Sequence, residues 1–167
     1  MPYISYYDIM LGMKIDSADY RALAGLRYLI RGFLSEADAA ARRVGLEPQQ
    51  YQLMLAVRGL PEGREASVQA LAERLALKHN STVELIDRME RHRYVYRSRK
   101  VDDRRCVLVS LLPAGERLLK DIAKQRISEL RVGGPALVRA VNVLLKRSAR
   151  SKDETSRRGR RRTAKGA

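Results

Sequence analysis

Apolar residues recur at helical spacing over most of the chain, which predicts a mainly α-helical fold. A first long helix is expected to start near Ser17 or Asp19, either of which is a suitable N-cap, and to end at Gly45. A second helix is expected from Glu47-Pro48 to Gly59, because proline is favoured in the first turn of a helix.

Two short helices are predicted next. One starts at Ser67, and after a break at residues 78–80 the other is capped by Asn80 or Ser81. The residues of the second helix that are expected to face inward are Val83, Ile86 and Met89. Two short helices joined by a tight turn in a basic protein are typical of a helix-turn-helix.

The pattern then alternates with a period of two residues, which is typical of β-strands. Residues 94–100 and 106–111 are predicted to be strands, with the charged segment 101–105 as the tip of a hairpin between them. The predicted fold is therefore mainly α with a small β-hairpin wing. It comprises a winged helix-turn-helix lobe and dimerisation helices at both ends of the chain.

Two further helices are predicted after the hairpin. Pro113 opens the first, and Gly133-Gly134-Pro135 is expected to break it before a final helix that carries Leu137 to Leu145. The segment after it is rich in arginine and lacks large apolar residues, so it is expected to be disordered.

Length and composition limit the class of protein. The chain has 167 residues and a mass of 19.0 kDa with 45% hydrophobic residues, which suits one domain or one protomer of a small dimer. No apolar run reaches the roughly 18 residues of a membrane helix, and the N-terminus is a poor signal peptide. We therefore expect a soluble, cytoplasmic protein that does not contact membranes.

Reactive side chains are scarce. One cysteine, Cys106, excludes an internal disulfide framework, and two histidines make a metal site improbable. The sequence shows no nucleophile with its base and no glycine-rich phosphate loop. We therefore expect no enzyme activity, no catalytic residues, no metal and no cofactor.

Basic residues dominate the charge and fall in two clusters. There are 34 Lys and Arg against 19 Asp and Glu, a net charge of +15. Residues 146–167 hold ten basic and two acidic residues (+8), and residues 88–105 hold eight basic and three acidic residues (+5). Nucleic acid is the first partner that such a distribution suggests.

The start of the second short helix offers donors and acceptors of the kind that read bases in the major groove. The candidate residues are Lys78, His79, Asn80, Ser81, Thr82, Glu84 and Arg88. The alternative is a solvated helix start in which Ser81 or Asn80 only caps the helix, and His79 is an ordinary surface residue.

The hairpin tip supplies a second candidate set, Asp103, Arg104 and Arg105. An arginine at a hairpin tip can enter the negative minor groove, and a neighbouring carboxylate can hold its guanidinium in place. The alternative for the triplet alone is an exposed turn with a weak ion pair.

Residues 77–118 resemble the MarR family of bacterial transcription regulators. Members commonly show S-T-V-x-x-x-[IV]-D-R-L-E in the recognition helix and D-x-R-x-x-x-V-x-L-T-x-x-G in the wing. The matching residues here are Ser81, Thr82, Val83, Ile86, Asp87, Arg88, Met89, Glu90, Asp103, Arg105, Val109, Leu111 and Gly115. Two positions depart from the pattern: Leu112 replaces the threonine, and Arg93 stands about where a glycine is usual.

The resemblance implies an obligate homodimer that binds pseudo-palindromic double-stranded DNA and represses or activates transcription. We expect a repressor. It also implies a small aromatic or lipophilic effector, or oxidation of a thiol, as the releasing signal. By position, Arg105 is the minor-groove arginine, Asp103 its anchor and Arg104 a phosphate or second groove contact. Residues 78–84 and Arg88 face the major groove.

The expected organisation follows from the pattern and the resemblance together. An N-terminal arm covers residues 1–17 and a dimerisation helix 18–45. The winged helix-turn-helix lobe spans 46–112, further dimerisation helices span 113–151, and a disordered basic tail spans 152–167. Wide apolar stripes on the terminal helices favour the dimer. The alternative is that these helices pack only on their own lobe.

Two features, Cys106 and the basic tail, each allow two interpretations. Cys106 follows two arginines, which suits a redox sensor, but it also begins an apolar strand, which suits a packing residue. The basic tail is expected to add phosphate contacts without reading bases, or else only to aid solubility. The alternative function for the whole chain is a sequence-tolerant architectural DNA- or RNA-binding protein driven by this tail.

Overall fold

The computed structural model describes residues 15–100, 103 and 105–163, and the surroundings of side chains as far as Arg147. The elements in chain order are α1 (Ser17–Arg43), α2 (Pro48–Arg58), α3 (Val68–Leu75), α4 (His79–Arg91), β1 (Val95–Arg99), β2 (Val107–Leu111) and α5 (Pro113–Thr163). This confirms the predicted class, mainly helical with one antiparallel hairpin. Residues 1–14 of the predicted N-terminal arm lie outside the described residues.

The chain divides into two compact units. The central unit is Leu34–Glu129, and the terminal unit combines Met1–Phe33 with Leu130–Ala167. Helices α1 and α5 each contribute residues to both units.

A carboxylate just before α1 caps that helix. Asp16 Oδ1 accepts hydrogen bonds from the backbone N–H groups of Ala18 and Asp19, at 2.7 and 3.0 Å. Asp19 Oδ2 accepts one in return from the Asp16 N–H at 2.9 Å. The expectation that Ser17 or Asp19 is the cap was wrong, because Asp16 holds that position and Asp19 is its reciprocal partner in the first turn.

Helix α3 has clear signals at both ends. Ser67 Oγ accepts a hydrogen bond from the Ala70 N–H at 3.1 Å, so Ser67 is the predicted cap. At the other end, Ala76 takes a left-handed conformation with φ of 52°, and the Leu77 N–H donates to the Ala72 carbonyl at 3.0 Å. This tight stop allows α4 to begin only a few residues later.

The wing is a two-stranded antiparallel hairpin joined to the segment before α3. Val95 pairs with Leu111 at its base, and Arg99 pairs with Val107 towards the tip. Ser67 forms an isolated bridge with Leu108, so the hairpin is anchored beside the start of α3.

The backbone geometry at the base of the wing explains why the family pattern has glycine at or near two positions, Gly115 and Arg93. A Cβ on Gly115 would lie 2.3 Å from the Tyr94 carbonyl oxygen, so the first turn of α5 fits beneath β1 only with glycine there. Arg93 has φ of 56°, a conformation that L side chains rarely adopt. The resemblance places a glycine near this position, and the backbone geometry accounts for that preference.

Helix α5 continues without a break from Pro113 to Thr163. The prediction that Gly133-Gly134-Pro135 ends a helix was therefore wrong. Proline disfavours helical geometry in the preceding residue through a clash that involves Cβ, and Gly134 has no Cβ. The backbone is also helical over 152–163, where a disordered tail was expected, and the arginine, lysine and glutamate residues in this segment favour helix.

The hydrophobic core lies in the central unit. It joins the end of α1, the linking segment, α2, the helix-turn-helix, the wing and the first turns of α5. Its buried residues are Ala40, Ala41, Leu46, Tyr51, Leu53, Met54, Ala56, Val68, Leu71, Leu85, Ile86, Met89, Val95, Val109, Leu119 and Ile122. The nearly buried Arg126 on α5 forms ion pairs with Glu36 and Glu129 in the same unit.

The terminal unit is fastened by ion pairs. The Arg147 guanidinium donates to Asp16 Oδ1 at 2.7 Å and to Asp19 Oδ1 at 2.5 Å. The hydrogen bond from Arg147 holds the pKa of the Asp19 carboxyl below its usual value. Across the part of the chain that the structure describes, none of the helices has the length and apolar character needed to cross a bilayer.

Candidate nucleic-acid interface

The start of α4 presents a row of exposed polar side chains. The helix begins at His79 with Lys78 as its N-cap, and no side chain caps it. The expectation that Asn80 or Ser81 is the cap was therefore wrong, and these two side chains are not engaged in capping. The exposed members of the predicted set are Lys78, His79, Asn80, Ser81 and Glu84.

Thr82 was predicted to face the major groove, but the structure places it inside. Its side chain is 0% exposed, and Thr82 Oγ1 donates a hydrogen bond to the Lys78 carbonyl at 3.2 Å. The sequence did carry this signal, because Thr82, Leu85, Ile86 and Met89 follow i, i+3, i+4, i+7 spacing and all four are buried.

Arg88 lies two helical turns beyond Ser81 and is half-buried. Its Nε is buried and has no hydrogen-bond partner among the described residues. The Arg88 side chain is therefore less accessible to solvent than the polar side chains of the first turn.

Asp103 was expected to bind the Arg105 guanidinium, but it does not. Asp103 Oδ1 instead accepts a hydrogen bond from the backbone N–H of Arg105 at 3.0 Å. Such side-chain-to-backbone bonds two residues apart are a common turn device of aspartate. Asp103 thus shapes the turn, and the exposed guanidinium of Arg105 forms no ion pair with any described residue. Arg104, the third member of the triplet, lies outside the described residues.

One open cleft of about 390 Å³ joins the two predicted contact regions. Its wall includes His79 from α4 and Arg105 from the wing, together with Ser67 and Gln69 from the start of α3. The helix start and the wing therefore border the same concave surface, as a reader of adjacent grooves requires.

Arg97 is an important residue of this surface that the sequence analysis missed. From β1 its Nη1 donates to Asp87 Oδ1 at 2.5 Å and to Glu90 Oε2 at 2.6 Å, both on α4. Its Nη2 donates to the Val83 carbonyl at 3.1 Å. Asp87 and Glu90 belong to the motif quoted above. A basic residue on the next strand could have been recognised from the sequence as a partner for these two carboxylates.

Cys106 is half-buried and lines the same cleft beside Val107. The described residues contain no group of three or more His, Cys, Asp or Glu side chains that could hold a metal ion. The exposed side chains of Lys78, Asn80 and Ser81 supply a cation, an amide and a hydroxyl, which can contact phosphates and bases.

Comparison with known proteins identifies the family. Residues 44–105, which hold the helix-turn-helix and the first part of the wing, match the MarR family model. This segment of the chain is a MarR family domain. The HTH-type transcriptional regulator YsmB of Bacillus subtilis (strain 168) is 27% identical over 106 residues, which are 64% of this chain and 70% of YsmB. Both matches support a transcriptional regulator of the MarR type.

Solved structures of MarR proteins share the fold. AbsC, a MarR family transcriptional regulator from Streptomyces coelicolor, is similar with a TM-score of 0.64 at 18% identity, covering 88% of this chain and 99% of AbsC. CouR from Rhodococcus jostii RHA1, in complex with p-coumaroyl-CoA, is similar with a TM-score of 0.53 at 23% identity. That match covers 63% of this chain and 72% of CouR.

Proposed function

We propose that this MarR protein binds pseudo-palindromic operator DNA as a homodimer and represses transcription. The observation that carries the proposal is the shared cleft, whose wall includes His79 from the exposed start of α4 and Arg105 from the wing. A helix in the major groove and an arginine in the neighbouring minor groove together read more base pairs than either does alone.

The helix start is suited to its role in three ways. Asn80 can bond adenine through two hydrogen bonds, Lys78 can reach guanine or phosphate, and Ser81 can bond phosphate. The positive end of the helix dipole favours phosphate near His79. Thr82 is left out of the contact set, because its hydroxyl is buried and bonded to the backbone.

Homodimer formation is supported by the terminal unit, where large apolar side chains are exposed on α5 and on or just before α1. They are Ile15, Tyr20, Leu23, Tyr28, Ile30, Leu130, Val132, Val138, Val141, Val143 and Leu145. Burying such a surface against a second copy would stabilise a dimer by removing apolar area from water. A two-fold dimer would in turn present two α4 helices to two half-sites.

Release by a small aromatic or lipophilic effector completes the proposal. Its support is the family membership and the example of CouR, whose structure contains p-coumaroyl-CoA. A ligand that binds the free dimer better than the DNA-bound dimer lowers operator affinity by the ratio of its two affinities.

The basic C-terminal segment is proposed to strengthen DNA binding without reading bases. Each phosphate that it engages steepens the plot of log K against log salt by about 0.9 on duplex DNA. If three charges per protomer engage, truncation after Ser151 flattens that slope by about five units for the dimer. An unchanged slope would remove the segment from DNA binding, and a changed operator preference would mean that it reads bases.

Selection of bound sequences from a random DNA pool at ~150 mM salt tests the proposal, because non-specific binding is weak at this salt concentration. The expected result is an enriched palindrome with two half-sites. Tight binding without any enriched sequence would instead favour the architectural DNA- or RNA-binding protein.

A further inference from the structure

We propose that Arg97 is a positioning residue that couples the helix reader on α4 to the wing reader at Arg105. The coupling makes the two sets of DNA contacts form together rather than independently. This inference rests on the DNA-binding function proposed above.

Arg97 is held by α4 at several points. Its guanidinium contacts carboxylates of Asp87 and Glu90 and the carbonyl of Val83, so its bonds span about two turns of that helix. Its backbone N–H also donates to Glu90 Oε1 at 2.8 Å. Both the side chain and the main chain of β1 are therefore fixed to α4 at this position.

This connection differs from the other ion pair of the wing. Lys100 Nζ lies 2.7 Å from Glu65 Oε2, which ties the residue after β1 to the segment before α3. Among the described residues, the ion pairs that join β1 to α4 are those of Arg97. Arg97 therefore adds a polar connection between the wing and the recognition helix to their shared core packing.

The position of the network within the fold supports a role in DNA contact. Arg97 and Asp87 line the cleft that also contains His79 and Arg105. Arg97 pairs across the hairpin with the buried Val109, so the strand cannot shift there without disturbing the core. A rigid link between the two sides of the cleft fixes the distance over which they must span adjacent grooves.

Charge gives Arg97 a second effect on the same surface. Asp87 and Glu90 would repel DNA phosphates if they were unpaired, and the guanidinium engages both carboxylates. A lysine keeps the positive charge, but its single ammonium lacks the planar fork that reaches several acceptors in fixed directions. Arg97→Lys therefore removes the geometry of the link while it preserves the net charge.

The test is a double-mutant cycle on the selected operator with Asn80→Ala in the helix and Arg105→Ala in the wing. In the native background, we expect the loss in the double variant to differ from the product of the single losses by about fivefold or more. In the Arg97→Lys background, the losses should multiply to within about twofold, because each reader then binds without the other.

Arg99→Lys is the matched control, since it makes the same chemical change two positions along the same strand. Arg99 is exposed, and no hydrogen bond or ion pair joins it to α4 within the described part of the chain, so the coupling should persist in that background. Thermal unfolding of each background checks that the fold is kept. If Arg97→Lys lowers the Tm markedly, Glu90→Gln replaces it, because it weakens the link while Asp87 and Val83 still bind Arg97.

The outcomes separate this inference from the function on which it rests. Absence of any enriched operator contradicts the DNA-binding proposal itself. A specific operator with no coupling in the native background, or with coupling that survives Arg97→Lys and Glu90→Gln, overturns the role of Arg97.

Discussion

The central and terminal units differ sharply in what they bury. In the central unit, residues from α1 to the start of α5 close around one core, and side chains such as Leu53, Met54 and Ile86 are inaccessible to water. In the terminal unit, no described residue is buried, although its stretches of α1 and α5 are rich in large apolar side chains. The central unit buries its own hydrophobic core, whereas the terminal unit leaves large apolar side chains exposed to solvent.

This difference separates two tasks within a small protein. The apolar residues of the central unit pack into a core that supports the cleft. Its outward residues can therefore be polar and available to contact DNA. The terminal unit keeps its apolar residues exposed, and the only ion pairs that fasten its described residues are those of Arg147 with Asp16 and Asp19. A second copy is the partner that would bury this surface.

The largest expected effect comes from charging the terminal unit. Leu130→Asp combined with Leu145→Asp should convert the dimer to a 19.0 kDa species in sedimentation at micromolar concentration. Operator affinity should fall by about 100-fold or more, because two linked half-site contacts become one. Leu55→Asp is the control, since Leu55 of the central unit is 45% exposed and Leu130 is 44% exposed. Dissociation caused by Leu55→Asp alone would place the interface in the central unit.

Arginines of the two units should differ in their effect on DNA binding. Arg105→Ala in the wing is expected to cost about 1–3 kcal/mol per half-site and to relax the sequence preference there. Arg160→Ala in the basic segment should cost less and leave the preference unchanged, because a phosphate contact carries no sequence information. Fluorescence anisotropy with operator and scrambled duplexes measures both effects. Equal losses would mean that the wing does not enter a groove.

Two glycines of α5 offer a matched pair for stability. Gly115→Ala should lower the free energy of unfolding by about 1–3 kcal/mol, because its Cβ would collide with the Tyr94 carbonyl. Gly133→Ala in the terminal unit should raise it by about 0.5–1 kcal/mol, since nothing lies within 4 Å and alanine favours helix. Urea unfolding measures both values. The same sign for both substitutions would contradict the packing beneath β1.

The smallest effect concerns pH and the terminal unit. Because Arg147 lowers the pKa of Asp19 below 3.8 in the folded protein, their pairing contributes stability at and above that pH. The contribution is lost as the pH falls through the lowered folded value. An NMR titration of the Asp19 carboxyl in the native chain and in Arg147→Gln follows it. The midpoint should rise in the variant, and an identical midpoint would show that the pair does not form.

Local patterns were enough to predict the helix-turn-helix and the hairpin. The periodicity of residues 67–91 and the alternation after Tyr94 come from one-sided burial, and that signal lies in the sequence itself. The continuation of α5 through Pro135 was not predictable in this way. Gly134 lacks the Cβ that would clash with Pro135, whereas glycine and proline are ordinarily signals that a helix ends.

The candidate site was predicted by residue type but not by contact. The exposed start of α4 and the exposed Arg105 agree with the prediction in placement, and their role in binding DNA stays a prediction. Asp103 and Thr82 were assigned to DNA on the basis of chemistry, yet both bond to the local backbone. Arg97 was overlooked because its partners are seven and ten residues away, on another element.

The burial of Thr82 has a consequence for how this protein can change over evolutionary time. Thr82, Ile86 and Met89 face the core, while Asp87 and Glu90 are engaged by Arg97. Most of the recognition-helix signature therefore records the scaffold, whereas the exposed positions 78–80 and 84 lie outside it. Changes at these four positions would alter the groove-facing surface while the whole signature is kept, so we expect related proteins to diverge in operator preference there first.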